Sequence, residues 1–236
     1  MLRSLAVIAA QLDFSMTICT PKDYALSDAY LAELKKHTPT TQITRLPDKG
    51  VSDRAALDAL LDEEYVGHVG LVRDGHPVVV PTAIARDGDR LLLHGSTGSG
   101  WMRALADGAD ACVTVTRLDA VVVARSAFES SMHYRSAVLF GRCEALASDD
   151  KERALDVIVD KLIPGRRDEV RPSTAKELAA TLVLAMPIDQ WSLKVSDGWP
   201  DDEPSDVEGD AWAGVVPLHL TPGAPQPAPD LLPGIE

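Results

Sequence analysis

Apolar residues take up helical spacing just after residue 52. The helical pattern in this part of the chain consists of four apolar residues, Ala56, Leu57, Leu60 and Leu61. Ser52 followed by Asp53 supplies an N-cap and an acidic first turn immediately before them. The pattern therefore predicts a helix over 53–63.

Short apolar runs rich in β-branched residues follow this helix, in the segment VGHVGLVRDGHPVVVPTAIARDGDRLLLHG. Asp74-Gly75 and Asp87-Gly88 interrupt the runs, and Asp-Gly pairs supply the positive φ values that tight hairpin turns require. The segment thus predicts three antiparallel strands joined in a meander.

Further strands are predicted at ACVTVTRLDAVVVARS, HYRSAVLFGRCEAL and DQWSLKVS, and further helices at SDDKERALDVIVDKLIP and STAKELAATLVLAM. Ser148 lies near the start of the first of these helices, and Pro164 follows its end. Five or six antiparallel strands with short turns, and helices added at the edges, predict a mainly β fold that forms an antiparallel barrel or sandwich.

The length of the chain suits one domain with a good core, and the composition changes at both ends. We interpret residues 1–44 as an N-terminal extension with a short helix at DAYLAELKKH, residues 45–220 as the domain, and residues 221–236 as a Pro-rich tail. The stretch SDGWPDDEPSDVEGDA after Val195 contains no Lys or Arg. We interpret it as a solvated loop, with a recognition surface as the alternative.

Charge and composition limit the partners. A formal net charge of −13 repels a phosphate backbone, and an aromatic content of 5% leaves few rings for base stacking, so nucleic acid is not an expected partner. Cys19, Cys112 and Cys143 are widely spaced in or near apolar runs, which is typical of buried thiols in a reducing compartment. The apolar run LAVIAA is short for a signal peptide, and no run approaches the roughly 18 apolar residues of a membrane span. We expect a cytoplasmic protein without a membrane partner, for which Met16 is an alternative start.

The segment HGSTGSGWMRAL, residues 94–105, is typical of an anion site. An apolar strand ends here in a loop of small residues that leads into helical spacing. Backbone N–H groups of such a loop can point inward beside a helix N-terminus, and Ser96, Thr97 and Ser99 add hydroxyl donors. A flexible connector is the alternative, since neither a P-loop nor a GxGxxG fingerprint is present.

Pro81 interrupts the predicted strand VVVPTAIA. Proline in a strand belongs at an edge or a bulge, so backbone polar groups around Val80, Pro81 and Thr82 are expected to be free to bind a planar heterocycle; an ordinary edge strand is the alternative.

The six histidines form no HExxH, HxH or His/Cys cluster, so no metal site is predicted. Arg125 and Arg135, near strand ends, are candidates for phosphate contacts or are simply solvated.

The order of these segments resembles that of a known family. A helix ending in ALLDEE, then the meander and the loop ending in WMRAL, then HYRSAVLFGRCEAL, is similar to the FMN-binding split barrel of the pyridoxamine 5'-phosphate oxidase superfamily. The resemblance covers about residues 45–220 and is closest to the branch of flavin-nucleotide-binding and nitroimidazole-resistance proteins. It implies an antiparallel split β-barrel, FMN as the cofactor, and a homodimer with two flavin sites at the subunit interface.

In that family the strand matching Val79 to Thr82 lies against the flavin ring, and the segment matching His94 to Ser99 holds the ribityl phosphate. The resemblance thus implies cofactor-binding roles for Val80, Pro81, Thr82, His94, Gly95, Ser96, Thr97 and Ser99. Gly100-Trp101 stands where many relatives have a basic pair. Arg103 or Arg135 is expected to replace the missing charge, and Trp101 is expected to cover the flavin or to pack.

The sequence therefore favours an FMN-dependent oxidoreductase that acts on a small molecule, such as a nitro compound or a pyridoxal-like substrate. Non-catalytic binding of flavin, deazaflavin or haem is the alternative, because the same barrel resembles proteins that do each. Pyridoxamine-phosphate oxidase activity is not expected, because the chain lacks a C-terminal basic motif like the one those oxidases use for the substrate phosphate. No general acid or base is assigned; His94 and His133 are the nearest candidates.

Overall fold

The structure is a computed structural model that describes residues 50–232 and 234, together with the backbone of residues 16–18 and 43–45. Strands β1 (Met16–Ile18) and β2 (Ile43–Arg45) pair in parallel with each other. The remainder of the predicted extension, including the helix at DAYLAELKKH, lies outside the described residues.

Ten more strands and five helices follow in the described part of the chain. The strands are β3 (Gly50–Val51), β4 (Val66–Arg73), β5 (His76–Asp87), β6 (Arg90–Ser96), β7 (Asp110–Val123), β8 (Ser131–Arg142), β9 (Glu144–Ala145), β10 (Thr181–Pro187), β11 (Gln190–Ser196) and β12 (Gly214–Pro217). The helices are α1 (Arg54–Glu63), α2 (Gly100–Ala106), α3 (Ser148–Leu162), α4 (Ala175–Ala180) and α5 (Pro204–Val207), with a 3-10 helix at Arg166–Glu169. Among these residues, no helix has both the length and the apolar content needed to cross a lipid bilayer.

The ten strands form one mainly antiparallel sheet in the order β3-β11-β8-β7-β4-β5-β6-β10-β9, with β12 paired to β7. The predicted mainly β architecture with added helices is confirmed. The sheet has more strands than the predicted five or six because the prediction did not include the short strands β3, β9 and β12 or the longer strand β10. Within the described residues the order does not return to its first strand, so the sheet is not closed.

Both hairpin turns of the predicted meander are present. At the first turn, Asp74 and Gly75 have φ values of 51° and 77°, which are the positive values of a type I′ turn. At the second turn, Asp87 is still in β5, and only Gly88 has a positive φ, 60°. The second turn thus depends on glycine alone, and its central residues are Gly88 and Asp89.

Helix α1 begins one residue later than the predicted helix. Asp53, and not Ser52, is the N-cap, because the Asp53 carboxylate accepts a hydrogen bond from the backbone N–H of Ala55 at 2.9 Å. Leu57, Leu60 and Leu61 are fully buried, so the predicted apolar face is the face that packs.

The helix predicted over STAKELAATLVLAM is wrong beyond Ala180. Helix α4 ends there, and residues 181–187 form β10, which pairs with β6 on one side and β9 on the other. Leu184 and Met186 face one core, whereas Val183 and Ala185 face another. A strand buried on both faces is a continuous apolar run, which cannot be distinguished from a buried helix by its periodicity.

The main core lies inside the sheet and is covered by α1 and α2. From α2, Met102 and Leu105 are fully buried, and they pack with residues of β4, β6, β7, β8 and β10. A second core lies on the other face of β6 and β10, where Ala154 and Ile158 of α3 pack against Leu92. Strand β6 is therefore held from both faces up to the point where its loop begins.

The chain divides into two compact units. Among the described residues, the first unit consists of those up to Arg117 together with Tyr134–Asp197, and the second consists of Leu118–His133 and those from Gly198 onward. In the second unit, the Asp202 side chain is only 2% exposed and accepts hydrogen bonds from the backbone N–H and the guanidinium of Arg125, at 2.6 and 2.7 Å. The acidic stretch is thus anchored through one carboxylate, and Arg125 is engaged in this ion pair.

Candidate functional site

Strands β5 and β6 separate part-way along their length. Within the described residues, the two strands pair at four positions, from Ile84 opposite Leu93 to Asp87 opposite Arg90. Residues 76–83 of β5 pair with β4, whereas residues 94–96 of β6 pair with β10. A split therefore opens between residues 79–83 of β5 and residues 94–96 of β6.

Pro81 lies on the edge of this split. The N–H of Ile84 donates to the carbonyl of Tyr65 at 3.1 Å, so the backbone polar groups of Ile84 face β4. Because these groups alternate along a strand, Thr82 and Val80 also face β4, whereas Pro81 and Ala83 face the split. The missing N–H of Pro81 thus costs no bond to β4, and of the candidates Val80, Pro81 and Thr82 only Pro81 has its backbone carbonyl directed to the split.

His94 is the first residue of β6 beyond the point of separation, and its backbone pairs with Val183. The imidazole is half-buried, and its Nδ1 atom is buried without a hydrogen-bond partner within the described residues. Burial lowers the pKa of His94, so the ring is neutral at physiological pH. A neutral imidazole can accept a hydrogen bond at one ring nitrogen and donate one at the other, so Nδ1 of His94 has an unused hydrogen-bonding capacity.

The loop after β6 uses its own backbone donors. The N–H of Thr97 donates to the carbonyl of Ala180 at 3.0 Å, that of Gly98 to Oγ of Ser96 at 3.1 Å, and that of Ser99 to the carbonyl of Ser96 at 2.9 Å. Ser99 is the N-cap of α2 but makes no capping hydrogen bond through its side chain. Three backbone N–H groups of the predicted anion loop are therefore engaged within the structure and are not available to an anion.

Gly95 and Trp101 flank the loop on the core side. A Cβ atom at Gly95 would lie 3.3 Å from Cγ of Met102, so glycine lets α2 pack close to β6. Trp101 is partly buried and packs against the main core. The structure thus gives Trp101 a packing role.

The two arginines expected to supply positive charge lie in different surroundings. Arg135 of β8 forms an ion pair with Glu63 at 2.7 Å, next to the ion pairs of Arg117 with the same end of α1. Arg103 lies exposed in the last turn of α2.

A third arginine, Arg73, lies beside the loop and was missed by sequence reasoning. A Cβ atom at Gly100 would lie only 2.6 Å from Nη1 of Arg73. Arg73 ends β4 and is remote from Gly100 in sequence, so no local pattern joins them.

The remaining candidates are His133 and the side chains that could hold a metal or react as a nucleophile. His133 belongs to the second compact unit. Over the described ranges, no group of three or more His, Cys, Asp and Glu side chains could hold a metal ion. Cys143 is buried, which raises its thiol pKa to about 11.

Comparison with known proteins identifies the class. The profile of the Pyridoxamine 5'-phosphate oxidase family matches residues 53–195, which is more than half of the chain and contains the split and the loop. The chain therefore belongs to the pyridoxamine 5'-phosphate oxidase family. The predicted resemblance is thus confirmed.

Two solved structures are similar to this chain over most of its length. The FAD and haem binding protein from Mycobacterium smegmatis is 57% identical, with a TM-score of 0.77, and the match covers 79% of this chain and 92% of that one. The flavocytochrome Anf3 from Azotobacter vinelandii is 37% identical, with a TM-score of 0.76, and the match covers 83% of this chain and 91% of that one. Curated protein sequences contain no match to the chain.

Proposed function

We propose that the protein is a flavin-dependent redox protein that binds FAD at the split between β5 and β6 and also binds haem. The observation that carries this proposal is the 57% identity to the FAD and haem binding protein, which extends over 92% of that chain. The 37% identity to a flavocytochrome supports the same pair of cofactors. A flavin supplies reversible hydride and electron transfer when bound, and the protein supplies its orientation and electrostatic surroundings.

The residues at the split fit a planar heterocycle. The edge of β5 offers the backbone carbonyl of Pro81, and His94 has a buried Nδ1 atom without a hydrogen-bond partner among the described residues. We assign these groups to the edge of the flavin ring. The hydroxyls of Ser96 and Ser99 are assigned to the phosphate, and the remaining predicted contacts, Val80, Thr82, Gly95, Thr97, Trp101, Arg103 and Arg135, stay candidates.

The sequence and a solved relative point to different flavins, FMN and FAD. The sequence resemblance implies FMN, whereas the solved relative of 57% identity binds FAD. We propose FAD, and chromatography of the flavin released from the purified protein tests this directly. Recovery of FMN alone would correct the nucleotide and leave the flavin proposal intact; no saturable binding of riboflavin, FMN or FAD at micromolar concentrations would overturn the flavin proposal.

Haem binding requires an axial ligand, for which histidine is the usual residue. His68, His76 and His219 are exposed, so each can reach iron without loss of core packing. The purified protein should show a Soret band, and replacement of one of these histidines by alanine should abolish it. A protein that takes up no haem when haem is added, with its flavin bound, would overturn the haem part alone.

We also propose that the protein is a homodimer that acts on a small-molecule substrate. The outer face of the sheet supports the dimer, because Val72 and Val79 are 67% and 65% exposed there and border a groove of about 740 Å³ together with Cys112 and Phe140. Light scattering should give twice the chain mass of 25.3 kDa. A monomer at all concentrations would remove a site shared between subunits.

A further inference from the structure

The guanidinium of Arg73 occupies the space next to Gly100. An ideal Cβ atom at Gly100 would lie 2.6 Å from Nη1 of Arg73, and 2.9 Å from its Cζ and Nη2 atoms. These distances are shorter than any normal contact, so the guanidinium lies where a side chain at position 100 would begin. Arg73 thus delivers a permanent cation from β4 to the loop after β6.

The ion pair that the Arg73 guanidinium makes is weak. The ion pair of Arg73 with Asp74 has an N–O distance of 3.6 Å, and the two side chains are 49% and 86% exposed. In contrast, Arg135 is held by Glu63 at 2.7 Å, and Arg125 by the buried Asp202 at 2.7 Å. An exposed pair at 3.6 Å contributes little, so the Arg73 guanidinium is free to bind a stronger anion.

The loop itself supplies hydroxyls but few free backbone donors. The N–H groups of Thr97, Gly98 and Ser99 are already bonded within the structure, as is Oγ1 of Thr97, which donates to the carbonyl of Ala180 at 3.3 Å. An anion beside this loop therefore depends on a side-chain cation, and among the described residues Arg73 is the cation that lies against Gly100.

We propose that Arg73 binds the phosphate of the flavin nucleotide, in the position that a side chain at residue 100 would otherwise fill. This inference rests on the proposed flavin site. The guanidinium presents two parallel N–H donors to phosphate oxygens, which is the geometry that arginine uses for bidentate binding. Ser99 completes the contact with a neutral hydroxyl.

The test compares the binding of three ligands to the whole chain after bound flavin has been removed. Riboflavin has the ring without a phosphate, FMN has one phosphate, and FAD has two. Dissociation constants from flavin fluorescence are measured for the parent, for Arg73→Ala and for Arg166→Ala. Arg166 is the matched control, because it is also 49% exposed and its ion pair with Glu169 lies in the 3-10 helix.

Arg73→Ala should weaken FMN binding about tenfold and leave riboflavin binding unchanged, because a half-exposed charge-assisted hydrogen bond lies at the lower end of its usual range. Arg166→Ala should bind all three flavins as the parent does. If Arg73→Ala weakens the binding of both FMN and FAD, Arg73 contacts the phosphate next to the ribityl chain. If it weakens the binding of FAD alone, Arg73 contacts the second phosphate. Either result supports the inference.

A reciprocal exchange tests the position of the charge. Arg73→Ala removes the guanidinium that blocks residue 100, so Arg73→Ala combined with Gly100→Arg should recover phosphate-dependent binding. Thermal unfolding confirms that each variant is folded. If folded Arg73→Ala leaves the ratios of both FMN and FAD affinity to riboflavin affinity unchanged, or if the folded double variant shows no recovery, the role of Arg73 is overturned and the flavin site is left standing. A parent protein that binds none of the flavins would overturn both proposals.

Discussion

The carboxylate of Asp87 provides the clearest quantitative prediction. It accepts hydrogen bonds from Arg153 at 3.1 and 2.9 Å and from Arg90 at 2.7 Å, and the Asp87 side chain is only 19% exposed. Arg153 belongs to α3, so this carboxylate ties the end of the β5–β6 hairpin to the helix that covers β6. Asp150 also accepts hydrogen bonds from both arginines, and these bonds remain when Asp87 is replaced.

Asp87→Asn should therefore lower the free energy of unfolding by about 2 kcal/mol, which is less than the sum of three charge-assisted bonds because both arginines are partly solvated. For a chain of this size, that change corresponds to a decrease in Tm of about 4–8 °C. Urea denaturation at pH 7 measures the free energy, and calorimetry measures Tm.

The same network predicts a dependence on pH. Hydrogen bonds from Arg153, and then from Arg90, lower the pKa of the Asp87 carboxyl below its value in the unfolded chain, which is about 3.9. The stabilisation is thus fully present above about pH 5 and is lost as the pH falls through the lowered folded pKa. The difference between parent and Asp87→Asn should shrink on acidification.

An exposed ion pair of the same chemistry serves as the control. Asp110 pairs with Arg142 at 2.7 Å, but its side chain is 82% exposed, so Asp110→Asn should change stability little. Equal effects of the two substitutions at pH 7, or a difference for Asp87→Asn that stays constant down to acid pH, would refute the reasoning that burial gives this network its strength.

Three further predictions concern the core and the contacts between helices. Leu184 of β10 is fully buried, so Leu184→Ala should lower the free energy of unfolding by about 2–5 kcal/mol in urea, whereas Leu118→Ala, at a residue 45% exposed, should cost much less. Burial raises the pKa of Cys143 to about 11, so iodoacetamide at pH 8 should label it in urea but hardly in the native protein, as peptide mass spectrometry will measure. The Lys161 ammonium donates to the carbonyls of Leu61 and Glu64, both at 2.5 Å, so Lys161→Met should destabilise the protein by about 1–3 kcal/mol in urea; no effect would show that water replaces the ammonium.

Local patterns determined the meander and the first helix. Asp74-Gly75 and Gly88 permit the tight turns by themselves, because positive φ values are a property of the residue type. Asp53 caps α1 through a bond to a residue only two positions away. These features could be predicted because their causes lie within a few residues of sequence.

The sequence also identified the two segments that form the split, the strand around Pro81 and the loop from His94 to Ser99. It did so through a residue that cannot donate a strand hydrogen bond and through a run of small residues. It could not show that β6 separates from β5 after Leu93 while its pairing with β10 continues to Ser96, because that pairing depends on residues 181–187.

Three features were decided by the tertiary structure alone. Residues 181–187 form a strand, Arg125 anchors Asp202, and Arg73 lies against Gly100. In each case the partners are distant in sequence, and the determining contacts exist only after the sheet has assembled. A doubly buried strand shows no periodicity, and a glycine shows nothing of the side chain that will lie against it. The sequence therefore determined the local elements, whereas the fold determined which of their residues meet.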